Sequence, residues 1–376
     1  MIRNDGKPVI VLNARPLWVR LLFRELGKHV PTLGVVFRPA GAPASIRPVC
    51  EGALPDAPGW TLHEFPIPRR SLGRLAGVHS FGLHRRLTSR FGEPSAIVFT
   101  EPSQRSLCRR FAGARRIYYA GDDYRWDYGW DARCVESWER DIARNVERIV
   151  CVSTALADSM TRRLGVPRGK LFVSANGMPA SIIPASANRA PAAAAGLPDK
   201  RPLAGVFGTI SKRIRLDWLR ALVDALPWLT LVLLGPKEEL EPAQQDDLAY
   251  LARHPRCVVL DGVDYYELFR YAAGVQIGLL PLTADGINPA SSPVRFYTQL
   301  PFGQPIVASE SSLQLHEFEP LVTIVKTLPE FISKVDDLKH VDFDDRLAER
   351  RRETARRHTW ERRAQSLFNE VISCPS

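Results

Sequence analysis

The chain has 376 residues, 45% of them apolar and 24% charged, with a formal net charge of +10. That length supports two domains with proper cores, the apolar share excludes wholesale disorder, and no apolar run approaches the ~18–20 residues of a spanning helix. The excess of positive charge calls for an acidic partner: nucleic acid, anionic lipid or a phosphorylated substrate.

The first segment, MIRNDGKPVIVL, has no signal-peptide core and runs straight into a strand at Val9 to Leu12. Asn13 to Pro16 forms the loop after it, and Trp18 to Leu26 fits a short helix. No GxGxxG follows the strand, so the dinucleotide fingerprint is missing. Gly34 to Phe37 and Trp60 to Phe65 read as further strands. Arg69 to Gly92 then carries Arg69, Arg70, Arg74, Arg85, Arg86 and Arg90 with His79 and His84, and no acidic residue. Leucines and phenylalanines are interleaved. The segment reads either as a basic amphipathic stretch lying on an anionic membrane or as a helix packed on its own domain with a solvated arginine face. Gly73, Gly77 and Gly82 weaken a continuous helix.

Ala96 to Phe99 is the next strand, and Ile117 to Tyr119 the one after, ending in the loop Ala120-Gly121-Asp122-Asp123-Tyr124. Ligands of open α/β sheets bind at that carboxyl edge. Two adjacent carboxylates there suit a general base for a hydroxyl, or one of them caps the next turn. Val135 to Val146 reads as a helix, Ile149 to Ser153 as a strand, Ala155 to Leu164 as a helix and Leu171 to Val173 as a strand before an Asn176-Gly177 turn. Pro184 to Pro202 is rich in proline and alanine without periodicity and reads as a linker.

Beyond it, strands at Leu203 to Phe207, Leu229 to Leu234 and Val258 to Gly262 alternate with helices at Leu216 to Leu226 and Tyr265 to Ala273, which predicts a parallel sheet. Gly208 opens a polar loop with Thr209, Lys212 and Arg213; the two cations either neutralise a diphosphate or are ordinary surface charges. Val275 to Pro281 is a buried strand, and Ser292 before Pro293 reads as an N-cap pairing. Val294, Phe296, Tyr297 and Leu300 give the helix an apolar face, Gly303 closes it in a left-handed C-cap, and Ile306 to Ala308 is the following strand. A helix N-terminus at the carboxyl end of a parallel strand suits a phosphate, and a cation in its first turn, Arg295, would be relieved by one. Asp342-Phe343-Asp344 is read as a helix start, not a metal site, and the six scattered cysteines as reduced thiols.

The run SSPVRFYTQLPFGQPIVAS resembles the nucleotide-sugar segment of GT-B glycosyltransferases, in particular bacterial exopolysaccharide transferases such as the xanthan glucuronosyltransferase and the teichuronic-acid enzymes. Arg295 stands where that group usually has lysine. Thr298 falls where retaining members carry a glutamate and the xanthan enzyme a glutamine. YYAGDD is similar to the segment holding the xanthan enzyme's catalytic aspartate, and the match lands on Asp122. Trp360 and Arg363 resemble the W-x-x-R ending of the superfamily. The resemblance implies an α/β GT-B fold: two Rossmann-like domains with parallel sheets facing across a cleft. It places an acceptor domain at 1–187, a linker at 188–201, a nucleotide-sugar domain at 202–356 and a helix at 357–376 that crosses back.

It further implies a glycosyltransferase using a UDP-sugar and a lipid-linked or polysaccharide acceptor, inverting, with Asp122 as base. Gly208, Thr209, Lys212, Arg213, Ser291, Ser292, Val294, Arg295 and Thr298 would hold the donor. Arg69, Arg70, Arg74, Arg85 and Arg86 would meet acceptor or membrane. No metal or other cofactor and no nucleic-acid partner are expected. The expected place is cytoplasmic, peripheral on the inner face of the plasma membrane. The competing readings are a GT-B-like nucleotide-sugar epimerase and a non-enzymatic basic protein binding nucleic acid or membrane.

Overall fold

The computed structural model describes residues 6–39, 54, 57–67, 76–126, 129–184, 196–199, 202–238 and 240–373. The chain divides into two compact units: Met1–Ile46 with Pro55–Asn176 and Trp360–Ser376, and Arg47–Leu54 with Gly177–Thr359.

The first unit alternates strands and helices: β1 (Val9–Leu12), α1 (Leu17–Leu26), β2 (Thr32–Pro39), β3 (Trp60–Ile67), α2 (Ala76–Phe91), β4 (Ala96–Phe99), α3 (Arg105–Cys108), β5 (Arg115–Ala120), α4 (Ala132–Asn145), β6 (Arg148–Cys151), α5 (Thr154–Leu164) and β7 (Leu171–Val173). The seven strands pair in parallel in the order β3-β2-β1-β4-β5-β6-β7. Short apolar runs such as VIVL and AIVF are buried at every position, as a sheet covered on both faces requires.

Gly77 and Gly82 do not interrupt α2, contrary to the weakness the sequence implies. Each glycine costs a helix about 1 kcal/mol, and the burial of Leu83 and Leu87 offsets it. Arg69, Arg70 and Arg74 lie outside the described residues. So does most of the expected linker. Asn176-Gly177 forms no turn.

The second unit holds β8 (Leu203–Phe207), α6 (Leu216–Ala225), β9 (Thr230–Leu234), α7 (Pro242–Arg253), β10 (Cys257–Leu260), α8 (Tyr265–Ala273), β11 (Ile277–Leu280), α9 (Val294–Gln299), β12 (Ile306–Ser309), β13 (Thr323–Val325), α10 (Leu328–Asp337) and α11 (Ala348–Arg357). Its six parallel strands run β10-β9-β8-β11-β12-β13. The core below α6 and α10 is built on Trp218, Leu219, Leu222, Phe331 and Val335.

Asp342-Phe343-Asp344 does not start a helix. Asp342 and Phe343 take left-handed backbone angles, and α11 begins only at Ala348. The last helix, α12 (Trp360–Leu367), belongs to the first unit and packs on α1, with Trp360 fully buried.

Candidate active site

In the second unit's sheet the chain order reverses between β8 and β11. Connections leave in opposite directions there and open a crevice at the carboxyl ends of the two strands. Gly208 follows β8 at φ +100°, a conformation that penalises any side chain. Arg295, in the first turn of α9, reaches across this glycine: Nη1 donates to the carbonyl of Phe207 at 3.1 Å and Nη2 to that of Thr209. Burial, reinforced by the charge of Arg213, pushes the Arg295 guanidinium down to about 9, so it remains a cation at neutral pH.

Arg213 approaches from the same loop. Its Nε donates to Oδ1 of Asn288 at 2.8 Å. Asn288 is fully buried, and its amide donates in turn to the carbonyl and the hydroxyl of Thr283, both at 3.0 Å. Two guanidiniums are therefore near one another, each fixed by neutral oxygen atoms. Neither makes an ion pair with a described carboxylate. The charge of Glu238 bears on Arg295 without an ion pair, and two neighbouring cations at a sheet's switch point suit an anionic ligand.

The remaining donor-site candidates divide. Gly208, Thr209, Arg213 and Arg295 come together. Ser291 and Ser292 are buried beside them, Ser291 donating to the carbonyl of Asn288 at 2.9 Å and accepting at its own carbonyl from Ser312. Ser292 does not cap α9: the cap position is Pro293, with no side-chain bond, because the loop's hydrogen bonds run back to Asn288 instead. Val294 is half-buried. Thr298 is buried with its hydroxyl turned onto the carbonyl of Val294, and Lys212 is exposed. α9 has six residues, so its dipole is slight and the guanidiniums carry the electrostatics.

In the first unit, Asp122 and Asp123 follow the carboxyl end of β5 and are both buried, at 6% and 3% exposure. Asp123 is committed: Arg125 grips it through Nε at 2.8 Å and Nη2 at 2.5 Å, and the Arg125 amide donates to it at 3.3 Å. The turn-capping role thus falls to Asp123. Tyr124 anchors the loop by donating to the Thr100 carbonyl at 2.5 Å. Gly121 is closely enclosed, since a Cβ there would lie 3.1 Å from the Tyr119 ring and 3.2 Å from the Trp18 indole nitrogen and would require one of them to give way. Trp126, two residues past this pinned turn, is 48% exposed.

This sheet reverses between β1 and β4, and there Asn13, at φ +54°, donates through Nδ2 to Glu101. Glu101 also accepts from Ser103 at 3.1 Å and caps the turn at Pro102–Gln104. Burial raises its carboxyl above the usual range, against those hydrogen bonds and the charge of Arg15. Of the basic candidates, Arg85 is exposed on α2, while Arg86 donates to the Pro66 carbonyl at 3.0 Å and lies over the Phe65 ring.

The family of glycosyl transferase 4-like domains matches residues 19–177. Among solved structures, the sucrose-phosphate synthase of Thermosynechococcus elongatus superposes with a TM-score of 0.71 at 12% identity, over 96% of this chain and 98% of the other. Anabaena HepE, in complex with UDP and glucose, gives 0.69 at 13% identity over 98% and 100%. An E. coli structure named for trehalose-6-phosphate and bound with UDP-2-fluoro glucose gives 0.70 at 12% over 98% and 99%. This chain has the GT-B fold. The putative teichuronic acid biosynthesis glycosyltransferase TuaH of Bacillus subtilis is 22% identical over 246 residues, 64% of this GT-B chain. The match spans 59% of TuaH, less than two thirds of its length.

Asn288 and Asn13 are the site residues that motif reading missed. The Asn288-Pro289 dipeptide marks a turn in the sequence, but nothing local says that its amide would meet Arg213. Among the described residues no helix is long and apolar enough to cross a membrane.

Proposed function

We propose that this GT-B protein transfers a sugar from a UDP-sugar to a glycan or lipid-linked acceptor, with inversion. The observation that carries the reading is the Arg213–Arg295 pair, two cations at the β8/β11 switch point held by neutral oxygen atoms. A diphosphate would supply negative charge to both. HepE binds UDP and UDP-glucose, which supports uridine as the nucleoside. The reading calls for no metal, since the guanidiniums take the role a divalent cation would play at the leaving diphosphate.

In this proposal the acceptor hydroxyl attacks the anomeric carbon, Asp122 takes its proton, and the sugar–phosphate bond breaks with both electrons leaving on UDP. Asp123 is left to the turn, where Arg125 grips it. The exposed indole of Trp126 beside this loop offers a flat apolar face suited to a sugar ring, which favours a glycan-bearing acceptor. We place the protein on the cytoplasmic membrane surface through α2, where the exposed Phe81 adjoins Arg85.

Calorimetry with UDP, UMP and uridine tests the donor assignment. Affinity should rise with each phosphate, by about tenfold for the β-phosphate, without added metal and with EDTA present. Equal affinity for UDP and uridine would overturn it.

A further inference from the structure

The first unit's sheet has its own switch point, between β1 and β4, and the two loops that leave it there are tied together. The Thr100 hydroxyl donates to the Leu12 carbonyl at 2.7 Å, and Asn13 donates through Nδ2 to Oε1 of Glu101. Ser103 donates to the other carboxylate oxygen at 3.1 Å. Gln104, fully buried, braces the turn: its Oε1 accepts from the Thr100 amide at 2.9 Å and from the Glu101 amide at 3.4 Å. Glu101 is thereby fixed, yet it is only half-buried and solvent still reaches it.

A cross-link between two loops does not call for a charge. Glu101→Gln would keep the bond to Asn13 and escape the desolvation that raises the Glu101 carboxyl. Asn13 adds a second cost, since its backbone at φ +54° lies in a sparsely populated region. Costs of this kind gather at ligand sites. Among the described residues each oxygen of the carboxylate takes one donor, which leaves each a lone pair for another.

Two further features belong to the same edge. β4 and β5 are paired with Phe99 opposite Tyr118, so the loops of Glu101 and Asp122 leave neighbouring strands about 5 Å apart. Tyr124 joins them by donating to the Thr100 carbonyl at 2.5 Å. Trp18, half-buried in the first turn of α1, brings its indole against Gly121 of the Asp122 loop. The crevice therefore holds an oriented carboxylate, an amide and an indole. That combination suits a ring bearing adjacent hydroxyls.

We propose that Glu101 is a hydroxyl-binding residue of the acceptor subsite, its carboxylate accepting from sugar hydroxyls next to the one that reacts, with Asn13 and Ser103 orienting it. A sugar whose reacting hydroxyl meets Asp122 presents its other hydroxyls to the end of β4. A bond to an ionised acceptor is about twice as strong as one to a neutral oxygen, which gives the charge its use. The acceptor role rests on the transferase reading; the sugar site at Glu101 does not.

Glucose is the probe, titrated into the full chain loaded with UDP and with its glutamate carboxyls 13C-labelled. The resonance absent from Glu101→Gln reports Glu101, and glucose should shift it saturably. Glu101→Gln should bind glucose about tenfold more weakly, read by saturation transfer to the sugar, while its melting temperature holds or rises. One of the monodeoxy glucoses should bind the wild type as weakly as glucose binds Glu101→Gln and lose nothing further in that variant, because both changes delete the same bond. Equal glucose affinity in the wild type and Glu101→Gln, or a Glu101 resonance that glucose does not move, would overturn the inference. Glucose bound at Glu101 by a chain that binds uridine as tightly as UDP would instead overturn the donor reading and leave the hydroxyl site standing.

Discussion

Nε of Arg213 donates to Oδ1 of Asn288 at 2.8 Å, although the two residues are 75 positions apart in the chain. The bond ties the loop after β8 to the loop after β11, the two sides of the second unit's switch point. A guanidinium fixed by an amide keeps its whole charge for a ligand, whereas a carboxylate in that place would neutralise it. Asn288→Ala should therefore lower UDP affinity about fivefold, the worth of one ordinary hydrogen bond, and leave uridine affinity unchanged. Calorimetry with both ligands checks this; a parallel loss for uridine would mean that the loop has simply collapsed.

Arg295 is expected to show a mixed effect. Besides its charge, it satisfies the carbonyls of Phe207 and Thr209 on either side of Gly208. Arg295→Ala removes partners from both, at about 1–3 kcal/mol for each group left buried. Both UDP affinity and melting temperature should fall. Arg295→Lys keeps a charge but cannot span two carbonyls, so it should recover affinity better than stability. Loss of affinity at full stability would show that the bridge over Gly208 is dispensable.

Asp122→Asn should retain UDP binding and lower turnover by ~10²–10⁴, the usual range for loss of a general base. Asp123→Asn should act through the fold instead, because it weakens the grip of Arg125 on the turn. Its turnover loss should be smaller and its melting temperature lower. Turnover and melting measured on the same preparations separate the two aspartates.

Glu101 gives a pH signature. Its folded carboxyl is raised above the unfolded value by burial, so its contribution to stability is present at low pH and is lost as pH rises through the folded value. Glu101→Gln, which stays neutral, should gain melting temperature relative to the wild type between about pH 4 and pH 7. A constant difference across that range would contradict the assignment.

The outer face of α2 is checked by flotation with anionic and neutral vesicles at low and high salt. Arg85→Glu should cut recovery on anionic vesicles about fivefold, at ~1 kcal/mol for the basic residue lost, and leave neutral vesicles unaffected. Equal recovery by wild type and variant would remove α2 from the membrane proposal.

The alternation of strands and helices was legible in the sequence because strands buried on both faces must be continuous apolar runs. Val9–Leu12, Ala96–Phe99 and Leu203–Phe207 stand out on that ground alone. Gly208 and Gly303 were legible for a similar reason, since a left-handed backbone position selects its residue locally. α11 was not. Its sequence AERRRETARR has no apolar stripe, and its buried residues are Ala355 and Arg351, the latter held by Asp345 and the carbonyls of Leu321 and Gly303. α7 buries only Leu251. Neither helix writes a period that a reader could find.

For the site, the sequence by itself determined which residues carry charge and which loops end the strands. It put Asp122 and Asp123 after β5, and Arg213 and Arg295 near the ends of β8 and β11. It could not decide between neighbours of the same chemistry. Arg125 commits Asp123 to the turn, and Asn288 fixes Arg213. Hydrogen-bond partnership and desolvation depend on which atoms arrive from elsewhere in the chain, and only the tertiary structure brings them together.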